Sequence, residues 1–401
     1  MTWIPAMDRF FTCDLEGSSF QRSEVSGPAS DAFPIEVQAL RAGINEQALF
    51  KRASELNGGR ECKVEHPPPW GRGSLMGGAN YHARIRFEDD DGNPETNESC
   101  LSDEYATLKF LKATKVPAPR VFGYGIAGGE DNQVGVSYIL MEKLPGRPWN
   151  MQGPRGKPFA DEKDKKKVWD GLAEILIELR RYPFSQAGSL LPGPLPSRPT
   201  VSALAKQNMA LIADGQLFTA FPVNAYLLFA ILKSKVPVLA QSDLNLADGP
   251  EQFYIKHVDD KGDHLMVDDD LNTTGIIDWQ MARVVPGSEA FGTSLVTAEM
   301  EDLYNGISSL TFLDQALASC MRIKGADDLA DIMTRDEKLW KFLLGLDVDF
   351  SWNETLLLIR GIWAAFGVEG SEWGVWKADM LEQNRHDKRL SQIISRFGLE
   401  P

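Results

Sequence analysis

Residues 254 to 264 read Tyr254-Ile255-Lys256-His257-Val258-Asp259-Asp260-Lys261-Gly262-Asp263-His264, and Ile277-Asp278-Trp279 follows shortly after. Two short apolar runs, 264–267 and 275–277, lie between Asp259 and Asp278, and an acidic, polar stretch from Asp268 to Thr274 joins them, which is the pattern of a hairpin. Carboxylates placed before and after a hairpin meet at its open end. Transfer of a phosphoryl group to a hydroxyl needs one carboxylate to accept or orient the hydroxyl proton, and a second to hold the magnesium that bridges the phosphates. Asp259 suits the first task and Asp278 the second, with His264 and Asp263 as an auxiliary ligand pair. An imidazole nitrogen is a softer ligand than an amide or carboxylate oxygen, so His264 in that role favours manganese over magnesium. Taken singly, Asp259 reads as a solvated loop carboxylate and Asp278 as a cap in front of Trp279. Their joint spacing, with Gly262 and Gly275 beside them, is what points to a site. His257 is expected to pack beneath the loop as a support.

Such a hairpin needs a frame. Ile35, Val37, Leu40, Ile44, Ala48 and Leu49 recur at helical spacing and predict one amphipathic helix from Ile35 to Leu56, stopped by Gly58 and Gly59. Beyond Gly77 and Gly78, the residues Tyr81, Ala83, Ile85 and Phe87 alternate with His82, Arg84 and Arg86, the period of a half-buried strand. The interval 88–103 is acidic and polar, holds no apolar run of strand length, and is expected to be a loop. Its Gly and Glu spacing imitates a calcium-binding hand, but Phe87 cannot ligate at the first position and Pro94 interrupts the loop. Tyr105, Leu108 and Leu111 predict a helix from Glu104 to Thr114, and Val134 to Met141 reads as a buried strand ending at Glu142-Lys143-Leu144-Pro145-Gly146. Helices dominate after that, at 168–181, 201–213, 225–235 and beyond Ala298, so the hairpin is embedded among them. The expected class is α+β in two lobes. Residues 1–33 form an extension, 34–142 a small β-containing N-lobe, and 143–401 a larger, mostly helical C-lobe.

At 401 residues with 43% apolar content the chain is long enough for two lobes. A formal net charge of −15 argues against nucleic acid as a partner, since phosphate grooves need clustered Lys and Arg, and it slightly favours a cationic small molecule. Cys13, Cys62, Cys100 and Cys320 are far apart, with neither zinc nor disulfide spacing. The first residues lack a basic region followed by an apolar one, and no apolar run reaches the ~18 residues of a membrane span. A cytoplasmic protein without a membrane partner is expected.

Around residues 257–286 the chain resembles the aminoglycoside phosphotransferase-like, or choline-kinase-like, family, in particular a branch common in filamentous fungi with Asp278-Trp279 after the hairpin and Pro286 beyond. The similarity extends over roughly residues 43 to 292. It implies a protein-kinase-like fold, ATP as phosphoryl donor, a hydroxyl of a small molecule as acceptor, and dependence on magnesium. Kinase catalytic loops have His-x-Asp with Asn five residues after the Asp; His264 stands at that Asn position here. The resemblance places Gly77 and Gly78 in the loop whose amides cover the phosphates. It places Glu104 where a glutamate pairs with the phosphate-binding lysine, and Met141 and Glu142 where backbone groups meet the adenine edge. Gly-Gly is also common in ordinary turns, and a carboxylate also suits the first turn of any helix. The family's next strand carries a basic residue that holds the phosphates, but 88–103 contains neither Lys nor Arg. That strand is expected to be missing, with Arg84 or Arg86 as its substitute.

Two readings remain open on these residues. One is an active phosphotransferase. The other is a catalytically degenerate relative that keeps the fold and acts as a ligand-binding or regulatory module. A purely structural helical protein would leave the spacing of Asp259, His264 and Asp278 unexplained.

Overall fold

The computed structural model describes residues 40–66, 83–87, 96–98, 102–155, 157–190, 201–215, 218, 220–244, 252–258, 262–299, 309–335, 352–353, 355–357, 360 and 373–399. The expected extension at 1–33, and Gly77, Gly78 and Asp259, lie outside them.

The helix expected from Ile35 to Leu56 is interrupted. Residues 40–43 are helical, and the chain then restarts at Asn45, whose side chain accepts from the Ala48 amide and caps helix α1 (Glu46–Leu56). A short polar side chain that can satisfy a free helical N–H sets a start even inside an apolar period. Strand β1 (Cys62–Glu65) pairs with β2 (Arg84–Phe87), where Ile85 and Phe87 are buried and Arg86 is exposed, as the alternation predicts.

The loop expected across 88–103 is corrected, because Thr96–Glu98 forms strand β3 between β2 and β5 (Tyr138–Glu142). The strand expected to be missing is therefore present. Three polar residues carry no period-two signal, and their backbone is recruited by unpaired groups on the two flanking strands. The buried strand expected over 134–141 starts only at Tyr138: Gly135 lies in the left-handed region, and a Cβ there would sit 2.6 Å from the Gly43 carbonyl. With β4 (Val121–Gly125), the sheet has five antiparallel strands in the order β1-β2-β3-β5-β4.

The two faces of this sheet bury different partners. Leu49 and Ala53 of α1 pack against Ala83, Ile85, Phe87, Tyr138 and Leu140. On the opposite face, helix α2 (Ser102–Leu111) brings Leu108 and Leu111 against Ile139 and Met141.

After β6 (Arg147–Pro148) the chain is mainly helical. Helix α3 (Glu162–Leu179) begins earlier than its apolar period because Asp161 and Asp164 form a reciprocal cap. Helices α4 (Val201–Ala213) and α5 (Pro222–Leu244) follow, then β7 (Phe253–Lys256), β8 (Leu265–Val267), β9 (Thr273–Ile276), β10 (Arg283–Pro286) and the short helix α6 (Gly287–Ala290). Helices α7 (Phe312–Ile323), α8 (Asp327–Arg335), α9 (Trp373–Gln383) and α10 (Lys388–Phe397) end the described chain. β7 pairs with β10, and β6 pairs with β8, which pairs with β9 as the expected hairpin. One core joins α2, α3, the hairpin, α7 and α8 around Trp169, Trp279 and Leu317; a second joins α4, α5, α9 and α10. The architecture is α+β in two lobes, a sheet lobe followed by a mostly helical one. Among the described residues, no helix is long and apolar enough to cross a membrane.

Candidate active site

The site is built outward from the hairpin. Its tip is closed by Asp268, whose carboxylate accepts from the amides of Asp270 and Asn272 and from the Asn272 side chain at 2.7–2.9 Å. Burial alone would raise the Asp268 carboxyl, but the Asn272 side chain and the two amides outweigh it and hold the group below the usual carboxylate value. Its base is closed by the Ile277 amide donating to the His264 carbonyl at 3.0 Å. Strand β9 also reaches the loop after α2, where the Ile276 amide donates to the Pro117 carbonyl at 2.9 Å. Gly275 makes that approach feasible, since a Cβ would stand 2.6 Å from the Pro117 oxygen and 2.5 Å from Leu144 Cδ1.

At the open end, Trp279 is fully buried and donates Nε1–H to the Ile276 carbonyl at 2.9 Å, which fixes the chain on either side of Asp278. Asp278 itself is left-handed, at φ 61° and ψ 57°. Its side chain makes no capping bond to the turn that follows, so the ordinary explanation for an aspartate before Trp279 does not apply. Instead Oδ2 lies 3.4 Å from His264 Nε2. Asp263 is 3.9 Å from the other ring nitrogen, Nδ1, so the two carboxylates occupy opposite edges of one imidazole.

His257, at the end of β7, is buried and places Nε2 at 2.9 Å from the Ile277 carbonyl. A carbonyl only accepts, so Nε2 carries the proton. The His257 ring meets Trp279 edge-on at 5.0 Å and lies 5.3 Å from the His264 ring. His257 thus holds the peptide next to Asp278, the supporting position expected for it. Asp259 is the second residue after His257 and lies outside the described residues.

The sheet lobe supplies the other expected residues. Glu104 is buried on the same α2 face as Leu108 and Leu111. Arg84 and Arg86 share Glu65, at 3.7 and 3.3 Å, and the Arg86 side chain is the more exposed, 50% against 31%. Met141 is a core residue of β5. The Glu142 amide donates to the Arg120 carbonyl at 2.8 Å, and its carboxylate grips the Arg120 guanidinium at 2.8 and 3.1 Å. The first junction residues beyond these bonds are Lys143 and Leu144. Lys143 escapes a sequence reading, because a lysine after a strand is unremarkable. Its amine is held below the usual lysine range by burial and then by the charge of Arg84.

The fit of a metal rests on Asp278. Magnesium commonly takes one or two protein carboxylates and fills the rest of its shell with phosphate oxygens and water. The Asp278 side chain is about one third exposed, which leaves oxygen accessible for that purpose. Among the described residues, no group of three or more His, Cys, Asp and Glu is arranged to hold an ion by itself. A cleft behind the hairpin is lined mainly by apolar side chains, among them Leu172, Ile175, Ile255 and Leu317, with Lys256, His257 and His264 also on its wall.

The model of the phosphotransferase enzyme family matches residues 89–298, just over half the chain, from before β3 to beyond the hairpin. Solved structures with similarity include a Ralstonia eutropha protein assigned as an aminoglycoside phosphotransferase (14% identity, TM-score 0.47, 88% of this chain and 99% of that one). They also include a Plasmodium vivax ethanolamine kinase (10%, 0.47, 86% and 95%) and a Streptococcus pneumoniae choline kinase (13%, 0.39, 87% and 99%). No curated protein matches the sequence.

Proposed function

Because the chain belongs to the phosphotransferase enzyme family, we propose that it transfers the γ-phosphate of ATP to a hydroxyl of a small molecule. The carrying observation is Asp278, a strained, partly exposed carboxylate at the open end of the hairpin with no capping task. In this reading Asp278 holds the magnesium or manganese ion, with His264 beside it and Asp263 as the auxiliary oxygen. When bound, the ion neutralises charge on the bridging phosphates. Asp259 takes the acceptor's proton as the oxygen–phosphorus bond forms and the bond to the β-phosphate oxygen breaks, releasing ADP.

Gly77 and Gly78, in the segment between β1 and β2, cover the phosphates with their amides. Arg84 takes the place of the absent basic residue of β3, with Glu104 as its counterpart. Met141 and Glu142 frame the adenine edge. The nucleotide-binding lobe spans 34–142 and the helical lobe 143–401, with 1–33 as an extension. Asp278-Trp279 and Pro286 are the basis for placing the chain in the branch common in filamentous fungi. The charge of −15 favours a cationic acceptor in the cytoplasm.

The test is ATP consumption by the full chain with pooled hydroxylated amines, in magnesium and in manganese. Turnover is expected to be faster in manganese and to fall roughly 100-fold or more in Asp278→Asn and Asp259→Asn. Undiminished turnover in Asp278→Asn would sink the assignment of the metal ligand. Nucleotide binding with no turnover on any acceptor would favour the binding-module reading.

A further inference from the structure

The turn that carries Asp263 and His264 is held from outside. Gly262 begins it in the left-handed region, at φ +96°, and its carbonyl accepts from the Leu265 amide at 3.0 Å. Glycine has the freest backbone of any residue, so a turn that hinges on one takes its position from what packs against it. Two groups do so here. A Cβ on Gly262 would stand 3.5 Å from the Trp149 carbonyl oxygen, 3.7 Å from Trp149 Cδ1 and 3.6 Å from Val296 Cγ2. Trp149 is fixed by its amide on the Leu265 carbonyl at 2.7 Å and by an edge-on contact with the Trp169 ring. Val296 lies in the turn that follows α6, with no strand or helix to fix it.

Its anchor is the next residue. Thr297 is fully buried, and its hydroxyl donates to Asp314 Oδ1. Asp314 is the third residue of α7, where Oδ2 accepts from the Thr311 amide at 2.8 Å and completes a reciprocal cap. The cap needs only one carboxylate oxygen, and the other reaches 17 residues back along the chain. The Thr311 hydroxyl lies 2.9 Å from the Thr297 carbonyl oxygen, so both polar ends of Thr297 are bound to the start of α7. A carboxylate that is 3% exposed is costly to seal from water, and capping a helix does not require it.

Resting on the phosphotransferase reading above, we propose that Thr297 is a positioning residue of the metal site: gripped by Asp314, it presses Val296 onto Gly262 and so sets the turn on which Asp263 and His264 stand beside Asp278. Two non-covalent joints carry the effect, Asp314 to Thr297 and Val296 to Gly262, because Thr297 is bonded to Val296 and Gly262 to Asp263. His264 Nε2 is 3.4 Å from Asp278 Oδ2, so a shift of the turn changes the spacing of the ligand set directly. Supports of this kind orient the ligands without touching the ion.

The experiment measures manganese binding to the full chain with ADP by electron paramagnetic resonance, and adenosine binding by calorimetry. The proteins are the wild type, Thr297→Val, Thr297→Ser, Val296→Ala and Leu390→Ala, the last a deletion in the second core. Thr297→Val and Val296→Ala should each bind manganese about 10-fold more weakly, the lower end of what the loss of a ligand's support costs. Thr297→Ser should restore the binding, and adenosine affinity should be unchanged throughout. Leu390→Ala should lose stability but keep its manganese affinity. Val296→Ala decides the matter if Thr297→Val does not fold. Unchanged manganese affinity in the folded variants, no recovery in Thr297→Ser, or an equal fall in Leu390→Ala overturns the proposal and leaves the metal-site reading intact. A wild type that binds no manganese with ADP overturns both.

Discussion

Four non-glycine residues among those described have positive φ, and Asp278 is the only charged one. Holding an ordinary residue in the left-handed region costs about 1–2 kcal/mol, which the buried Trp279 and the His257 bond to Ile277 sustain. Asparagine tolerates that conformation, so Asp278→Asn should unfold within about 0.5 kcal/mol of the wild type. It should at the same time lose the extra stability conferred by ATP with manganese. Thermal unfolding with and without both ligands measures the two effects together. His257→Phe keeps an aromatic ring against Trp279 but removes the donor to the Ile277 carbonyl. A buried acceptor left unpaired should cost about 1–3 kcal/mol in denaturant unfolding, and displacement of Asp278 should lower kcat more than it raises KM. At this scale the sequence is informative where chemistry is local. That Asp278 and His264 meet at the open end of the hairpin is legible from spacing alone, and so is the support from His257. The bond from Thr297 to Asp314 is not, because it exists only once α7 is folded against the turn after α6.

The hairpin is the element on which the site stands, and its two ends respond to different perturbations. The folded-state Asp268 carboxyl is held below its usual value, so its contribution to stability is full above the unfolded value and is lost as pH falls through the folded one. The stability difference between wild type and Asp268→Asn should therefore shrink between about pH 5 and pH 2, as read by thermal unfolding. Near the open end, Gly275→Ala meets the Pro117 carbonyl and Leu144 at a backbone angle of φ +153°. Overpacking against a backbone atom should cost about 1–3 kcal/mol or more. The hairpin is legible because two apolar runs flank a polar turn, whereas β3 is invisible at three polar residues. Its existence is decided by β2 and β5, not by its own side chains. The restart of α1 at Asn45 has a similar origin, since one capping side chain outweighs a helical period that continues across it.

For the molecule as a whole, two lobes were legible from the change in period after Gly146 and from the Pro and Gly residues that mark it. The connection between the lobes was not. Any ligand that binds only the native state adds stability by mass action, about 2.7 kcal/mol at 100 times its Kd. ATP with metal should raise the unfolding midpoint accordingly, and absence of any rise would count against a nucleotide site. With a net charge of −15, a cationic acceptor should show a KM that rises with ionic strength, and a neutral acceptor should not.

The segment leaving α2 is pinned to the helical lobe twice, by the Pro117 carbonyl on the Ile276 amide and by the Lys115 amide on the Glu178 carboxylate. Two pinned points define a line. The core shared by Leu108, Ile139 and Met141 with Ile276 and Trp279 reinforces that attachment. Because the Pro117 pin is bonded to β9, the line runs beside the base of the hairpin.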